Sequence, residues 1–114
     1  MPFIEVRTAQ KLMAPQKQAI KEGLGQLISL IPGKSEDKLM IAIEDAQGLY
    51  FRGEEKASAA FVEIRLKDKA EFADKAKLTE GIFSLLEQKA QIAKDDVYLN
   101  FMEFDVWGSR GVLK

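Results

Sequence analysis

At 114 residues the chain has the length of one compact domain, which buries roughly two-thirds of the surface that its unfolded form exposes. Its 17 basic and 18 acidic residues nearly cancel and are interspersed, so no basic stripe is available to hold a nucleic acid. Because the sequence contains neither cysteine nor histidine, disulfides, thiolate chemistry and imidazole-dependent triads are excluded, and no metal or other cofactor is implied.

The start of the chain, Met1-Pro2-Phe3-Ile4-Glu5, lacks the basic segment and the long apolar run of a signal peptide. No later stretch reaches the length of a membrane span. We therefore expect a soluble, cytoplasmic protein that has no membrane partner.

The first half of the chain reads as strand, helix, strand. Residues 2–8 alternate apolar and polar side chains with the period of a half-buried strand. Apolar residues then keep helical spacing between Pro15 and Ile31, with Pro15 suited to the first turn and Pro32-Gly33 ending the run. Residues 38–43 form the second predicted strand.

The second half repeats this pattern at an offset of 58 residues, as when Phe3 aligns with Phe61. The predicted strand at 60–66 is followed by a helix from about Asp74, a plausible cap, to about Gln91, and by a strand at 97–102. No gap is needed anywhere. The aligned segments include Phe3-Ile4-Glu5-Val6-Arg7 with Phe61-Val62-Glu63-Ile64-Arg65, Glu22-Gly23-Leu24 with Glu80-Gly81-Ile82, Asp37 with Asp95, and Arg52-Gly53 with Arg110-Gly111.

These elements predict one α/β (α+β) domain over residues 1–114, with an internal repeat covering 2–53 and 60–111. A helical connection normally leaves its two strands parallel and crosses right-handed, so each half is a βαβ unit. Two such units, related by a pseudo-two-fold axis, give a four-stranded mixed sheet with both helices on one face. Short strands near 49–52 and 106–107 are expected to extend an edge of this sheet.

Two features of the repeat concern packing. Gly23 and Gly81 each interrupt a helix at a cost of about 1 kcal/mol relative to alanine, which indicates close approach of the helices to the sheet. The sheet face without helices carries charged residues together with Phe3 and Phe61. It is either a solvated face or, as we favour, the inward face of an oligomer.

Positions at which the two copies differ are candidates for function. Pro2 corresponds to Ala60, and only Pro2 becomes a chain terminus when the initiator methionine is removed. Lys34 corresponds to Ile92. A free terminal proline is a secondary amine, and it supplies a base in a chain that has no histidine. An apolar site and a nearby lysine would both disfavour its protonated form.

The chain resembles the tautomerase superfamily, and within it the macrophage migration inhibitory factor branch. Four features carry the resemblance beside the duplicated βαβ unit: Met1-Pro2-Phe3-Ile4 at the start, Gly33-Lys34 after the first helix, Ile64 in the third main strand, and Asp95-Asp96-Val97-Tyr98-Leu99-Asn100-Phe101 near the end. The resemblance spans nearly the whole chain. It implies a homotrimer of inward-facing sheets with three active sites at subunit boundaries.

The resemblance also implies roles for individual residues. Pro2 is the catalytic base, and Lys34 lies in the pocket of the same subunit. Tyr98 and Asn100 enter from a neighbouring subunit, Ile64 lines the pocket, and Trp107 stands where the family often places an aromatic wall. The chain lacks the Cys-x-x-Cys segment of the animal cytokines, so their thiol redox activity is set aside. Its C-terminal segment, residues 108–114, also differs from the animal pattern, and receptor binding is not carried over.

These observations predict a keto–enol tautomerase that acts on a small α-keto acid of the phenylpyruvate type without a cofactor. Two alternatives stay open. The first keeps Pro2 but uses it as an acid in hydration, dehalogenation or decarboxylation, with Arg52 or Arg110 as conceivable further groups. The second is a non-catalytic trimeric interaction protein. If Met1 remains attached, the Pro2 nitrogen is an amide with no available lone pair, so neither enzyme hypothesis holds.

Overall fold

A computed structural model describes the whole chain, residues 1–114. Three short 3-10 turns are present, at Ile28–Leu30, Glu36–Lys38 and Lys94–Asp96. The helices and strands are, in chain order, β1 (Pro2–Thr8), α1 (Ala14–Leu27), β2 (Met40–Glu44), β3 (Tyr50–Phe51), β4 (Glu54–Glu55), β5 (Ala60–Lys67), α2 (Phe72–Ala90), β6 (Val97–Phe104), β7 (Gly108–Ser109) and β8 (Val112–Leu113).

The main sheet has four strands in the order β2-β1-β5-β6. β1 is parallel to β2 and β5 is parallel to β6, as expected when each pair is joined through a helix, whereas β1 and β5 are antiparallel. The central register pairs Glu5 with Glu63, which are equivalent positions of the repeat, so the pseudo-two-fold axis passes between them. The predicted fold of two βαβ units is confirmed.

The core lies between the sheet and the two helices. Alternate residues of β1 and β5, such as Ile4 and Ile64, are fully buried against the apolar stripes of α1 and α2, which include Leu24 and Ile82. The other sheet face bears a network of charges. On it Arg7 forms ion pairs at 2.9 Å with Glu5, 3.2 Å with Glu44 and 3.7 Å with Glu63. Neither helix combines the length and the apolar character that a bilayer crossing requires.

The repeated glycines lie where the helices cross each other, so the expected close approach of helix to sheet is wrong. A Cβ atom on Gly81 would lie 2.5 Å from Leu27 Cδ2, and one on Gly23 would lie 2.7 Å from Leu85 Cδ2. Leu27 and Leu85 are themselves equivalent positions of the repeat, so the two contacts are reciprocal. The glycines in the sequence indicated that each helix is closely approached at these positions, but not whether the neighbour is the sheet or the other helix.

The short strands do not extend the main sheet, and this expectation is also corrected. They form two separate hairpins, β3–β4 and β7–β8. The Arg-Gly pair at each tip has φ angles of 55° and 82° in Arg52-Gly53 and of 54° and 79° in Arg110-Gly111. Two residues with positive φ reverse the chain in the manner of a type I′ turn, so each short strand pairs with the one that follows it.

The boundaries of α2 also differ from prediction. The helix begins two residues before Asp74, with Glu71 at the cap position, and Asp74 lies in its first turn. A carboxylate there still stabilises the helix through the partial positive charge of the N-terminus. The residue type was therefore a correct sign of a helix start, although its position was off by one turn.

Candidate active site

Three segments enclose a cleft at the start of the chain, with a volume of about 730 Å³. They are the beginning of β1, the 3-10 turn before β2, and the C-terminal hairpin β7–β8 with the residues next to it. Of the site residues named from the sequence, Pro2, Trp107 and Arg110 lie in this cleft. The full lining is Met1, Pro2, Phe3, Asp37, Lys38, Met40, Arg65, Trp107, Gly108, Ser109, Arg110 and Lys114.

The terminal amine of Met1 lies in surroundings that disfavour its charged form. Partial burial and, next in size, the positive charge of Lys34 lower the pKa of this amine from 8.0 to about 6. Lys34 is fixed beside the chain start because its Nζ donates a hydrogen bond to the carbonyl oxygen of Lys67 at 3.1 Å. Pro2 follows directly and is buried at the first position of β1. Lys34 does not line the cleft itself, but its charge lies close to the chain start, next to which Pro2 stands.

Ile64 is not part of this cleft. It pairs with Ile4 in the sheet, and its side chain is fully buried on the helix side. The residue of β5 opposite Pro2 is Leu66. The pocket-lining role given to Ile64 is therefore corrected: the antiparallel register of β1 and β5 decides which residue lies beside Pro2, and that register is not visible in a single strand.

Tyr98 and Asn100 lie on the helix-free face of β6, and both are exposed. The row of the sheet that contains Pro2 and Leu66 continues to Glu103, five residues along β6 from Tyr98. Five residues of a strand span about 17 Å. Within one chain, therefore, Tyr98 lies at the opposite end of the sheet from Pro2, whereas Asn100 lies near the middle, beside Glu63.

The repeat produces a second cleft that differs in size and charge. Its residues Ala60, Phe61 and Tyr98 are the equivalents of Pro2, Phe3 and Met40 in the first cleft. The second cleft has a volume of only about 80 Å³ and is mostly apolar. Only the first combines open volume with charged side chains. The full lining of the second is Leu49, Tyr50, Phe51, Ala59, Ala60, Phe61, Asp96 and Tyr98.

Lys38 and Met40 are among the cleft residues that sequence reasoning missed. Lys38 corresponds in the repeat to Asp96, a reversal of charge that the alignment of the two copies already contained. Met40 is 68% exposed at the edge of the sheet although it is a large apolar residue. No group of three or more His, Cys, Asp or Glu side chains is placed to hold a metal ion.

Comparisons with known proteins agree with this geometry. The chain superimposes on the crystal structure of Leishmania major MIF2 with a TM-score of 0.92 at 20% identity, covering 100% of this chain and 97% of that one. A macrophage migration inhibitory factor-like protein from Entamoeba histolytica gives 0.85 at 23% identity, covering 99% and 98%. N1, a member of the cis-3-chloroacrylic acid dehalogenase family, gives 0.85 at 16% identity, covering 97% and 82%.

At these identities the superpositions show a shared fold. A search of curated proteins finds no significant match. The sequence model of one family, described as macrophage migration inhibitory factor (MIF), matches residues 1–111, nearly the entire chain. The chain therefore belongs to the macrophage migration inhibitory factor family.

Proposed function

We propose that this protein is a keto–enol tautomerase that acts on a small α-keto acid of the phenylpyruvate type, with Pro2 as its general base and acid once Met1 has been removed. One observation carries the proposal: burial and the charge of Lys34 lower the pKa of the Met1 amine from 8.0 to about 6. Once Met1 is removed, the Pro2 amine lies in the same surroundings, and they disfavour its protonated form in the same direction, so that it can accept a proton.

The chemistry requires one proton to move between oxygen and carbon. In the enol-to-keto direction the enol oxygen loses its proton and the neighbouring carbon gains one, and the Pro2 nitrogen carries the proton between them. The ring of proline fixes the direction of the lone pair, so little ordering is needed to aim it. Lys34 donates one hydrogen bond to Lys67 and retains two donors for a substrate carboxylate or for charge on the enolate oxygen.

The proposed site is completed by a neighbouring subunit. In their own chain, Tyr98 lies about 17 Å and Asn100 about 10 Å along β6 from the row of the sheet that contains Pro2, so neither can act with it. The edges of the sheet and the hairpins also expose large apolar side chains, which association would cover. We therefore infer a homotrimer in which these two residues, with Trp107 as a wall, orient the substrate. The exposed apolar residues are Met40, Tyr50, Tyr98, Val112 and Leu113.

A second candidate function keeps Pro2 but makes it an acid in hydration, dehalogenation or decarboxylation. Two arginines of the cleft, Arg65 and Arg110, favour this alternative because such reactions act on anionic unsaturated acids. The fold is also shared with N1 of the cis-3-chloroacrylic acid dehalogenase family. Turnover of 3-haloacrylic acids together with no turnover of enols would favour this candidate over the tautomerase.

The test compares wild type with Pro2→Ala, after intact mass has verified that Met1 is absent from both. The loss of ultraviolet absorbance as enol-phenylpyruvate ketonises gives kcat/KM. We expect Pro2→Ala to lower kcat/KM by about 100-fold or more, because the positioned base is lost. Pro15→Ala, at the exposed start of α1, serves as the control and should match wild type. Equal rates for wild type and Pro2→Ala would refute the proposal.

A further inference from the structure

Within one chain, Arg110 forms no side-chain hydrogen bond or ion pair, and its backbone has a conformation that arginine does not favour. It lies at the tip of the β7–β8 hairpin and lines the cleft at Pro2. Its φ angle of 54° is in the left-handed region, where residues other than Gly, Asn and Asp are uncommon. Among the hydrogen bonds and ion pairs of the structure, none involves the Arg110 side chain.

The equivalent arginine of the repeat, Arg52, is fully engaged. Its Nη1 lies 3.6 Å from Asp96 Oδ1, and its Nη2 donates a hydrogen bond to the carbonyl oxygen of Asp95 at 3.0 Å. The position equivalent to Asp96 in the first copy is Lys38. This single reversal removes the carboxylate that pairs with the arginine in the other copy and adds a second cation to the cleft that Arg110 lines.

The balance of charge in the cleft is therefore positive. Its only acidic side chain is Asp37, against the cations Lys38, Arg65, Arg110 and Lys114. Arg65 is already paired with Glu63 at 3.2 Å. Asp37 accepts a hydrogen bond from Ser35, which, together with the charges of Lys38 and Arg110, holds the pKa of its carboxyl below the usual value. One acidic side chain thus faces four basic side chains, of which Arg65 has its own partner.

Cations also flank the chain start on two sides. Lys34 lies on the side of Lys67, in a different groove from Lys38 and Arg110. A substrate whose keto acid end lies at Pro2 and Lys34 would direct its other end along the cleft. That end would meet Arg110 and Lys38, which have hydrogen-bond donors to offer and no protein acceptor.

We propose that Arg110 and Lys38 form a second anion subsite, so that the preferred substrate is an α-keto acid bearing a second carboxylate at its far end. The proposal extends the proposed function because it names the substrate class of the same site. Arg110 supplies a planar fork of donors that matches a carboxylate, and Lys38 adds a point charge. The reversal at Lys38 and the unpaired state of Arg110 carry this inference.

Binding is the first test, and it does not depend on turnover. Calorimetry compares benzene-1,4-dicarboxylate with benzoate, and fluorescence of Trp107, the only tryptophan, reports whether binding occurs in the cleft. We expect the dicarboxylate to bind wild type at least about tenfold more tightly, as for one charge-assisted contact. Equal affinities, or no detectable binding of either acid, would overturn the subsite.

Variants of Arg110 and Lys38 test which cations bind the second carboxylate, and they are chosen so that the β7–β8 hairpin still forms. Arg110→Asn creates Asn-Gly, the sequence most favoured in a two-residue hairpin turn, and should reduce the affinity ratio to about one. Lys38→Met should reduce the ratio in part, and Arg110→Lys should retain most of it. Arg52→Asn makes the same change in the other hairpin and should leave the ratio unaltered. An unaltered ratio in Arg110→Asn would also overturn the proposal.

Assays of enol turnover test the anion subsite and the tautomerase function separately. The same variants are assayed with the enols of phenylpyruvate and of its 4-carboxy derivative. Tighter binding of the dicarboxylate without any ketonisation would support the anion subsite and refute the tautomerase function. Ketonisation of both enols at equal rates, without tighter binding of the dicarboxylate, would support the tautomerase function and refute the anion subsite.

Discussion

At the scale of single residues, the decisive quantity is the pKa of the amine at the chain start. Partial burial and the positive charge of Lys34 both lower the pKa of the Met1 amine, because both favour its neutral form. The hydrogen bond from Lys34 to the Lys67 carbonyl oxygen fixes this charge in place, so it does not depend on a mobile side chain. Lys34 therefore has a role even before any substrate binds.

This role predicts a pH profile. In wild type, kcat/KM should rise with pH as the Pro2 amine loses its proton, and the inflection should lie below 8.0, because the burial and the Lys34 charge that lower the pKa of the Met1 amine also act on Pro2. Lys34→Met removes the nearby cation, so the amine keeps its proton to higher pH and the inflection moves part of the way back toward 8.0. It does not return fully, because burial remains.

The control for this profile is Lys34→Arg, which keeps the charge and should leave the inflection near that of wild type. The measurement is kcat/KM for enol ketonisation from about pH 4.5 to 9, a range that brackets the amine pKa on both sides. If Lys34→Met lowers the rate at every pH and does not move the inflection, Lys34 acts on the substrate alone.

The residues of the site could be predicted to different degrees. Pro2 and Lys34 stood out because each differs in kind from its equivalent in the repeat, and the structure places the charge of Lys34 close to the chain start. Ile64 was misplaced because strand register decides which residue lies beside Pro2. That the Arg110 side chain forms no hydrogen bond or ion pair within the chain could not be predicted. It depends on how the β7–β8 hairpin folds as well as on the presence of Lys38 where the other copy has Asp96.

At the scale of elements, the two helices are held together through glycines. Gly23 accommodates Leu85 of α2, and Gly81 accommodates Leu27 of α1, in reciprocal contacts. Each glycine costs helix propensity of about 1 kcal/mol. The helices therefore approach closely at a point where a methyl group would displace a leucine, and the duplicated unit has kept this contact in both copies.

The contact predicts the effect of Gly23→Ala. Alanine favours the helix by about 1 kcal/mol, but overpacking against the buried Leu85 costs about 1–3 kcal/mol, so the net change should lower the free energy of unfolding by about 1 kcal/mol. In a Leu85→Ala background the obstructing methyl groups are absent, so the same substitution should be neutral or stabilising. Chemical denaturation measures both, and an equal cost in the two backgrounds would contradict the proposed contact.

The regular elements could be predicted from periodicity because each has one face on the core. The residues of β1 and β5 alternate between buried and partly buried, and the apolar stripes of both helices enter the core. The hairpins could not be placed in the same way. Their strands are two residues long, so periodicity carries no information, and the Arg-Gly turns that define them do not match the usual Asn-Gly pattern.

At the scale of the whole molecule, one chain contains all the proposed groups but does not bring them together. Pro2 and Lys34 lie at one end of the sheet, and Asn100 and Tyr98 lie about 10 Å and about 17 Å, respectively, along β6 toward the other end. The repeat makes the two ends similar in backbone but different in chemistry. A ring of subunits in which one end meets the other end of a neighbour would unite the two half-sites.

Subunit mixing tests this arrangement most directly. One variant is Pro2→Ala, the other combines Tyr98→Phe with Asn100→Ala, and equal amounts are unfolded and refolded together. In a random three-membered ring half of the sites have an intact Pro2, and half of those have an intact neighbour. Although each variant alone should be nearly inactive, the mixture should therefore ketonise enol-phenylpyruvate at about one quarter of the wild-type rate. A mixture no more active than the average of the two separate variants would contradict the account.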